Sequence, residues 1–210
     1  MKESEAQRLY GVTEIERGLW AKGIYAGGMD EAGRGPLAGP VVAACAVLPA
    51  EPLLAYVKDS KKLSESRREK LFPLLCDAAL CYGVGEASPR EIDGMNILNA
   101  TKLAFRRAYM AMEAPPALVL VDAVAGLDIP AEQRPIVHGD ALSYLIAAAS
   151  IIAKVTRDRY MIEMDAAYPQ YGFAKNKGYG TAAHIDALKR FGPCPLHRNS
   201  FIGHFTKERV

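Results

Sequence analysis

Long apolar runs are missing from this sequence. The two most hydrophobic stretches, residues 36–50 and 141–153, are too short to cross a bilayer, and Gly39 and Pro40 break the first. Residues 1–17 carry charges where a secretory leader would carry an apolar block, so no signal peptide is expected. Cysteine is sparse. Cys45, Cys76, Cys81 and Cys194 form no C-x-x-C pair, which removes the usual zinc ribbons and points to thiols in a reducing compartment. A soluble, cytoplasmic protein is therefore expected. A strong net charge is absent as well: 26 Lys and Arg stand against 24 Asp and Glu, a net of +2 that does not by itself announce a nucleic-acid partner. Several catalytic signatures are also lacking. His138, His184, His197 and His204 show no H-E-x-x-H spacing, no G-x-S-x-G elbow occurs, and no glycine-rich segment ends in Gly-Lys-Ser/Thr. Zinc proteases, serine hydrolases and P-loop nucleotidases lose their support.

What is present is enough for a packed domain. Half of the 210 residues are hydrophobic and 24% are charged, which fits one domain spanning 1–210. The charge is unevenly placed: residues 171–210 hold seven basic and two acidic side chains, a net of +5, so the first 170 carry −3. A basic C-terminal segment beside an acidic remainder suits a polyanion-binding face next to a carboxylate cluster, although a solvated surface would give the same count.

Local patterns then give the elements. Residues 1–23 read as an amphipathic helical lead, 25–30 and 39–48 as strands, and 64–80 as a helix capped by Ser64. Residues 81–87 read as a strand and 97–113 as a helix ended by Pro115-Pro116. The continuous apolar run 117–121, ending in Asp122, has the form of a strand covered on both faces. A strand near 135–138, a long helix over 141–165 capped by Asp140, and a helix over 181–191 complete the pattern, with about 168–210 forming a basic C-terminal region. Strands interleaved with helices predict a layered α/β domain with a mixed central sheet and a small helical C-terminal region.

The chemistry concentrates in Gly27-Gly28-Met29-Asp30-Glu31-Ala32-Gly33-Arg34-Gly35-Pro36-Leu37-Ala38-Gly39-Pro40. Its glycines are one residue too widely spaced for a dinucleotide turn, and the apolar run after Pro36 reads as strand rather than helix. Two acids, Asp30 and Glu31, close the first strand; Asp122 closes another, and Asp140 opens a helix. Neighbouring strands of one sheet would bring these ends together. Clustered carboxylates repel unless a hard cation neutralises them, and oxygen ligands suit Mg²⁺ or Mn²⁺. Two such ions can activate a water and stabilise the leaving oxygen of a phosphodiester. Taken singly, Asp140 is more often a helix cap than a ligand and Asp122 more often a turn former.

The segment from Gly28 to Pro36 resembles the signature of the ribonuclease HII family. The resemblance extends through Asp59-Ser60-Lys61-Lys62-Leu63-Ser64, Val121-Asp122, Gly139-Asp140 and the run from Ile146 to Asp158. It continues in Tyr168-Pro169-Gln170-Tyr171-Gly172-Phe173, Lys177-Gly178-Tyr179-Gly180-Thr181 and His197-Arg198-Asn199-Ser200-Phe201, and so covers roughly 25–201. It implies a ribonuclease H-like fold and an endonuclease that cuts the RNA strand of RNA–DNA hybrids and nicks DNA duplexes 5′ to embedded ribonucleotides. It implies that Asp30, Glu31, Asp122 and Asp140 are the catalytic acids and metal ligands, with two Mn²⁺ or Mg²⁺ ions in the active complex. It implies further that Gly33-Arg34-Gly35 lies against the ribonucleotide and senses its 2′-hydroxyl, with Tyr179 packed on the next deoxyribose. Without the family, Tyr179 would read as a core or interface aromatic. Lys61, Lys154, Lys177 and Arg198 are candidate phosphate contacts, and Asp158, four residues after Lys154, reads as its ion-pair partner.

Met29 departs from the family's smaller or branched residue, a matter of packing. The tail carries no Gln-x-x-Leu-x-x-Phe-Phe motif, so no sliding-clamp partner is expected, and the chain reads as a monomer. Two alternatives compete. A ribonuclease HIII-like nuclease would have a different glycine turn and a long N-terminal domain, whereas about 24 residues precede the first strand here. A non-catalytic nucleic-acid-binding module would explain the basic segment but not four converging acids.

Overall fold

The computed structural model describes residues 3–206; residues 1–2 and 207–210, among them Lys207 and Arg209 of the basic segment, lie outside it. The N-terminal lead is two helices rather than one, α1 (Glu3–Val12) and α2 (Glu14–Trp20). They meet at Thr13, whose hydroxyl donates back to the Leu9 carbonyl at 2.8 Å, a local bond that competes with the helical ladder. Strands β1 (Gly27–Ala32) and β2 (Val41–Val47) follow. Then come α3 (Glu65–Ala78), capped by Ser64 as expected, β3 (Cys81–Ala87), α4 (Pro89–Met95) and α5 (Ile97–Met110).

The second half begins with β4 (Leu118–Asp122) and β5 (Glu132–Ile136). Strand β5 starts three residues before the expected position and lies at the sheet edge, where Pro135 costs no interior ladder bond. One correction concerns the long helix. It is not continuous from Asp140. A short α6 (Gly139–Leu142) contains Asp140, and α7 (Tyr144–Ala167) starts anew with Ser143, whose hydroxyl accepts from the Ile146 N–H at 3.2 Å. Asp140 is thereby free of capping duty. The C-terminal region is α8 (Phe173–Asn176), α9 (Ala182–Phe191) and α10 (Asn199–Thr206), the last not expected from the sequence.

The five strands run in the order β3-β2-β1-β4-β5. Strand β1 is antiparallel to β2 and parallel to β4, and β4 is parallel to β5, so the sheet is mixed. Alternation divides the core between its faces. Ala44, Ala46 and Leu120 pack with α3 and the alanine-rich start of α7; Met29, Cys45, Val119 and Val121 pack with Phe105 of α5 on the other side. Met29 is fully buried there, in keeping with a packing role. Among the described residues no helix is long and apolar enough to cross a membrane.

Helix α7 can lie so close to β1 because Gly28 has no side chain. A Cβ at Gly28 would come within 2.1 Å of the Leu145 carbonyl carbon, backbone against backbone, with no flexible side chain to yield. Overpacking of this kind costs about 1–3 kcal/mol where side chains can adjust, and more where they cannot. Gly28→Ala should therefore lower the unfolding free energy by about 3 kcal/mol, at the top of that range. Urea titration followed by circular dichroism checks it. A loss within about 0.5 kcal/mol, the size of a neutral surface change, would show that the contact between β1 and α7 is not as tight as described.

Candidate active site

The parallel pairing of β1 with β4 aligns Met29 with Val121, so the next residues, Asp30 and Asp122, stand side by side. Asp122 closes β4 as expected, but β1 runs on to Ala32, so Asp30 and Glu31 lie within it and not at its end. The Gly139 N–H donates to Asp122 Oδ1 at 2.8 Å, tying the start of α6 to the end of β4 and carrying Asp140 into the same place. One carboxylate oxygen from each of Asp30, Asp122 and Asp140 lies within 4.8 Å of the others. Glu31 is next to this group and lines the same hollow as Asp30 and Asp122. Its Oε1 accepts from the Arg34 guanidinium at 3.3 Å.

Burial makes this arrangement electrostatically expensive. Asp30 is buried, and its carboxyl is held well above the usual carboxylate range, first by burial and then by the charges of Glu31 and Asp122. Burial raises Glu31 too, against the opposing pull of Arg34, and it raises Asp122, with Asp140 adding to the effect. Among the described residues, Asp30 Oδ2 and Glu31 Oε2 are buried oxygens with no hydrogen-bond partner. Orphaned carboxylate oxygens in an all-oxygen cluster fit a hard divalent cation, which would satisfy both the lone pairs and the charge.

The acids line an open cleft of about 560 Å³ whose walls include Gly33, Arg34, Gly35, Lys61, Lys154 and Tyr179. Asp140 sits on its edge, facing a second hollow with Arg8, Lys58 and Lys62. Lys61 reaches Asp140 Oδ2 at 3.4 Å with most of its side chain in solvent. Lys154 donates to Asp158 at 2.7 Å, the intrahelical pair expected, and Arg68 reaches Asp158 from the other side at 3.5 Å. Tyr179 is 44% exposed, with its ring 5.8 Å from the Lys154 ammonium.

Two of the basic residues stand elsewhere than at a phosphate. Lys177 is turned inward, its ammonium on the Ala174 carbonyl and 3.4 Å from Glu65. Arg198 is completely buried. Its guanidinium donates to the carbonyls of Gly33 at 2.6 Å, Arg34 at 3.0 Å and Gly39 at 2.9 Å, so it holds the glycine turn from behind. A phosphate contact by Arg198 is corrected to this positioning role, because a guanidinium sealed among carbonyls cannot reach a strand outside. Arg157, which sequence reasoning left unassigned, does the same from α7, donating to Pro40, Lys177 and Ala38 carbonyls at 2.9, 2.9 and 3.0 Å. Gly33, at φ +97°, leaves the room: a Cβ there would fall 2.1 Å from the Arg157 Nε. The only trace of Arg157 in the sequence is its place in the Thr156-Arg157-Asp158 block.

A family model described as ribonuclease HII matches residues 27–204. The chain belongs to the ribonuclease HII family. It is 54% identical over 198 residues to the ribonuclease HII of Desulfitobacterium hafniense (strain DSM 10664 / DCB-2), covering 94% of this chain and 76% of that one. Among solved structures it is similar to the ribonuclease H2 of Pyrococcus horikoshii OT3, with a TM-score of 0.70, 31% identity, and coverage of 88% of this chain and all of the other. It shares its fold with Bst-RNase HIII in complex with Mn²⁺, at TM-score 0.70 and 20% identity over 85% of this chain and 67% of that one. The chain is thus a ribonuclease H endonuclease, a metal-dependent phosphodiester hydrolase acting on RNA–DNA hybrids, built on the mixed sheet described above.

The raised carboxyls make a prediction about stability. A carboxyl whose pKa is higher in the fold than in the unfolded chain contributes stability below the unfolded value, and that contribution is lost as pH rises through the folded value. With chelator at pH 8, Asp30 is a net liability that Asp30→Asn removes, so the variant should melt higher than the parent. The gap should close as pH falls toward 4, near the ordinary carboxylate pKa. Scanning calorimetry across pH checks this; a lower melting temperature for the variant at pH 8 would contradict the assignment.

Proposed function

We propose that this enzyme nicks DNA duplexes on the 5′ side of an embedded ribonucleotide and also cuts the RNA strand of longer hybrids. The observation that carries the reading is one cleft whose walls hold Asp30, Glu31, Asp122, the Gly33-Arg34-Gly35 turn and Tyr179, with Asp140 joined to the two aspartates at its edge. Asp30, Asp122, Asp140 and Glu31 would hold two Mg²⁺ or Mn²⁺ ions, which supply activation of a water and charge stabilisation at the leaving 3′-oxygen. The products would be a 3′-hydroxyl and a 5′-phosphate beginning with the ribonucleotide.

The protein's own part is positioning. Arg198 and Arg157 pin the carbonyls around the turn, so its backbone meets the 2′-hydroxyl without reorganising. Glycines at positions 33 and 35 let backbone groups come close to a sugar, and only that hydroxyl separates RNA from DNA at a single position. Tyr179 offers a half-exposed ring for the deoxyribose that follows. Lys61 and Lys154, both on the cleft wall, would take the flanking phosphates. The enzyme works as a cytoplasmic monomer in this reading. A non-catalytic binding module is disfavoured, because buried uncompensated carboxylates repel phosphate.

The test uses a DNA duplex carrying one ribonucleotide and, in parallel, a long RNA–DNA hybrid, each with Mn²⁺ or Mg²⁺. The parent should nick the first at its 5′ side. Asp122→Asn should reduce turnover on both substrates by orders of magnitude. Tyr179→Ala should reduce cleavage of the lone ribonucleotide more than that of the hybrid, where other registers are available. Near-normal turnover by Asp122→Asn, or equal losses on both substrates for Tyr179→Ala, would overturn the respective assignment.

A further inference from the structure

Behind Tyr179, away from the cleft, two histidines are buried ring to ring. His184 and His197 are fully or almost fully enclosed, packed against the faces and edges of Tyr171 and Phe173. The two Nε2 atoms lie 3.1 Å apart. His184 Nδ1 lies 2.8 Å from the Tyr179 carbonyl, and His197 Nδ1 accepts from the Cys194 N–H at 3.0 Å.

These contacts permit one arrangement of protons. A carbonyl can only accept, so His184 carries its proton on Nδ1 and donates it to Tyr179. The His184 Nε2 is then a lone pair, and His197 must donate to it from Nε2. The His197 Nδ1 is left as an acceptor, which is what the Cys194 N–H requires. Every ring nitrogen is used, and both rings are neutral. A proton added to either ring would set two N–H groups face to face. Burial works in the same direction: it lowers both imidazoles below their ordinary range, His197 to about 4, with His184 as the second influence on His197. Besides each other, the rings meet the Cys194 thiol and Tyr171, whose hydroxyl is turned onto the Gly192 carbonyl.

We propose that His184 and His197 form a neutral, directional hydrogen-bond relay that fixes the Tyr179 backbone, and so its ring, for discrimination of a lone ribonucleotide. The inference rests on the reading of Tyr179 given above. The relay begins at the Cys194 backbone in the segment after α9 and ends on Tyr179 before that helix. It therefore clasps both ends of α9 to the loop bearing the ring. The Thr181 N–H also donates to the Tyr179 carbonyl at 2.8 Å, so the histidine supplies the second of two donors that set the carbonyl's direction. Neither histidine lines the cleft, so both are positioning residues and not catalytic ones.

The test compares His184→Leu, which removes the donor, with His184→Asn, whose amide N–H can replace Nδ1–H. The readout is the ratio of cleavage rates on the single-ribonucleotide duplex and the long hybrid. Losing one buried hydrogen bond should lower that ratio by about tenfold in His184→Leu, and His184→Asn should restore most of it. Adding His184→Leu to Tyr179→Ala should lower the ratio no further, because both changes act through one ring. A merely structural role would lower both activities together, leave the ratio unchanged, and overturn the proposal. So would failure of His184→Asn to recover the ratio while the variant keeps its folded circular-dichroism spectrum. If Tyr179→Ala itself leaves the ratio unchanged, the reading of Tyr179 fails first. If it changes the ratio and His184→Leu does not, only the relay is wrong.

Discussion

Repulsion among buried carboxylates is the constraint on which the rest of this molecule depends. The pairing of β1 with β4 forces Asp30 and Asp122 side by side, and the bond from Gly139 to Asp122 adds Asp140. Within the described residues, Asp30 Oδ2 and Glu31 Oε2 have no hydrogen-bond partner, and Arg34 pairs only with the other oxygen of Glu31. A fold that spent its stability on such a cluster without function would be hard to explain, because an unpaired buried charge is among the costliest features a protein can carry. The tight contact of α7 on Gly28, the covered faces of the sheet and the seam from Gly139 to Ser143 all serve to hold that cluster together. Divalent cations held by Asp30, Glu31, Asp122 and Asp140 would relieve that repulsion and would supply activation of a water.

A second layer holds the Gly33-Arg34-Gly35 turn and Tyr179. The turn at Gly33-Arg34-Gly35 has little side-chain packing of its own. Arg198, before α10, holds it through the Gly33 and Arg34 carbonyls, and Arg157 in α7 holds the segment just after it through the Ala38 and Pro40 carbonyls. The C-terminal region is in turn bound to the segment after that turn, by backbone bonds from Leu37 to Gly178 and from Gly39 to Leu196. Tyr179 belongs to this region and faces the acids from across the cleft. The acids and Tyr179 are thus carried by different parts of the chain, which the β1–β2 connection joins.

Much of this was legible in the sequence, for a physical reason. Asp122 ends the apolar run of β4, and Asp30 follows the apolar start of β1, so parallel neighbours must bring the two together even though β1 itself runs on to Ala32. The apolar run over β4 and the Ser64 cap are equally local signals. Asp140 was harder: both it and Ser143 are good cap residues, and only packing against β4 decides that Ser143 starts the long helix. Arg198, Arg157, His184 and His197 were not legible in their roles. A charged or titratable residue in a sequence reads as a surface group, and burial among carbonyls or against another imidazole is a tertiary fact with no periodic signature.

The most direct test of the account is crystallography of the full chain soaked in Mn²⁺, with anomalous scattering recorded at the manganese edge. The account predicts manganese between the carboxylates of Asp30, Asp122 and Asp140, with Glu31 as the adjoining ligand. Manganese bound only elsewhere, with these four carboxylates holding none, would contradict it.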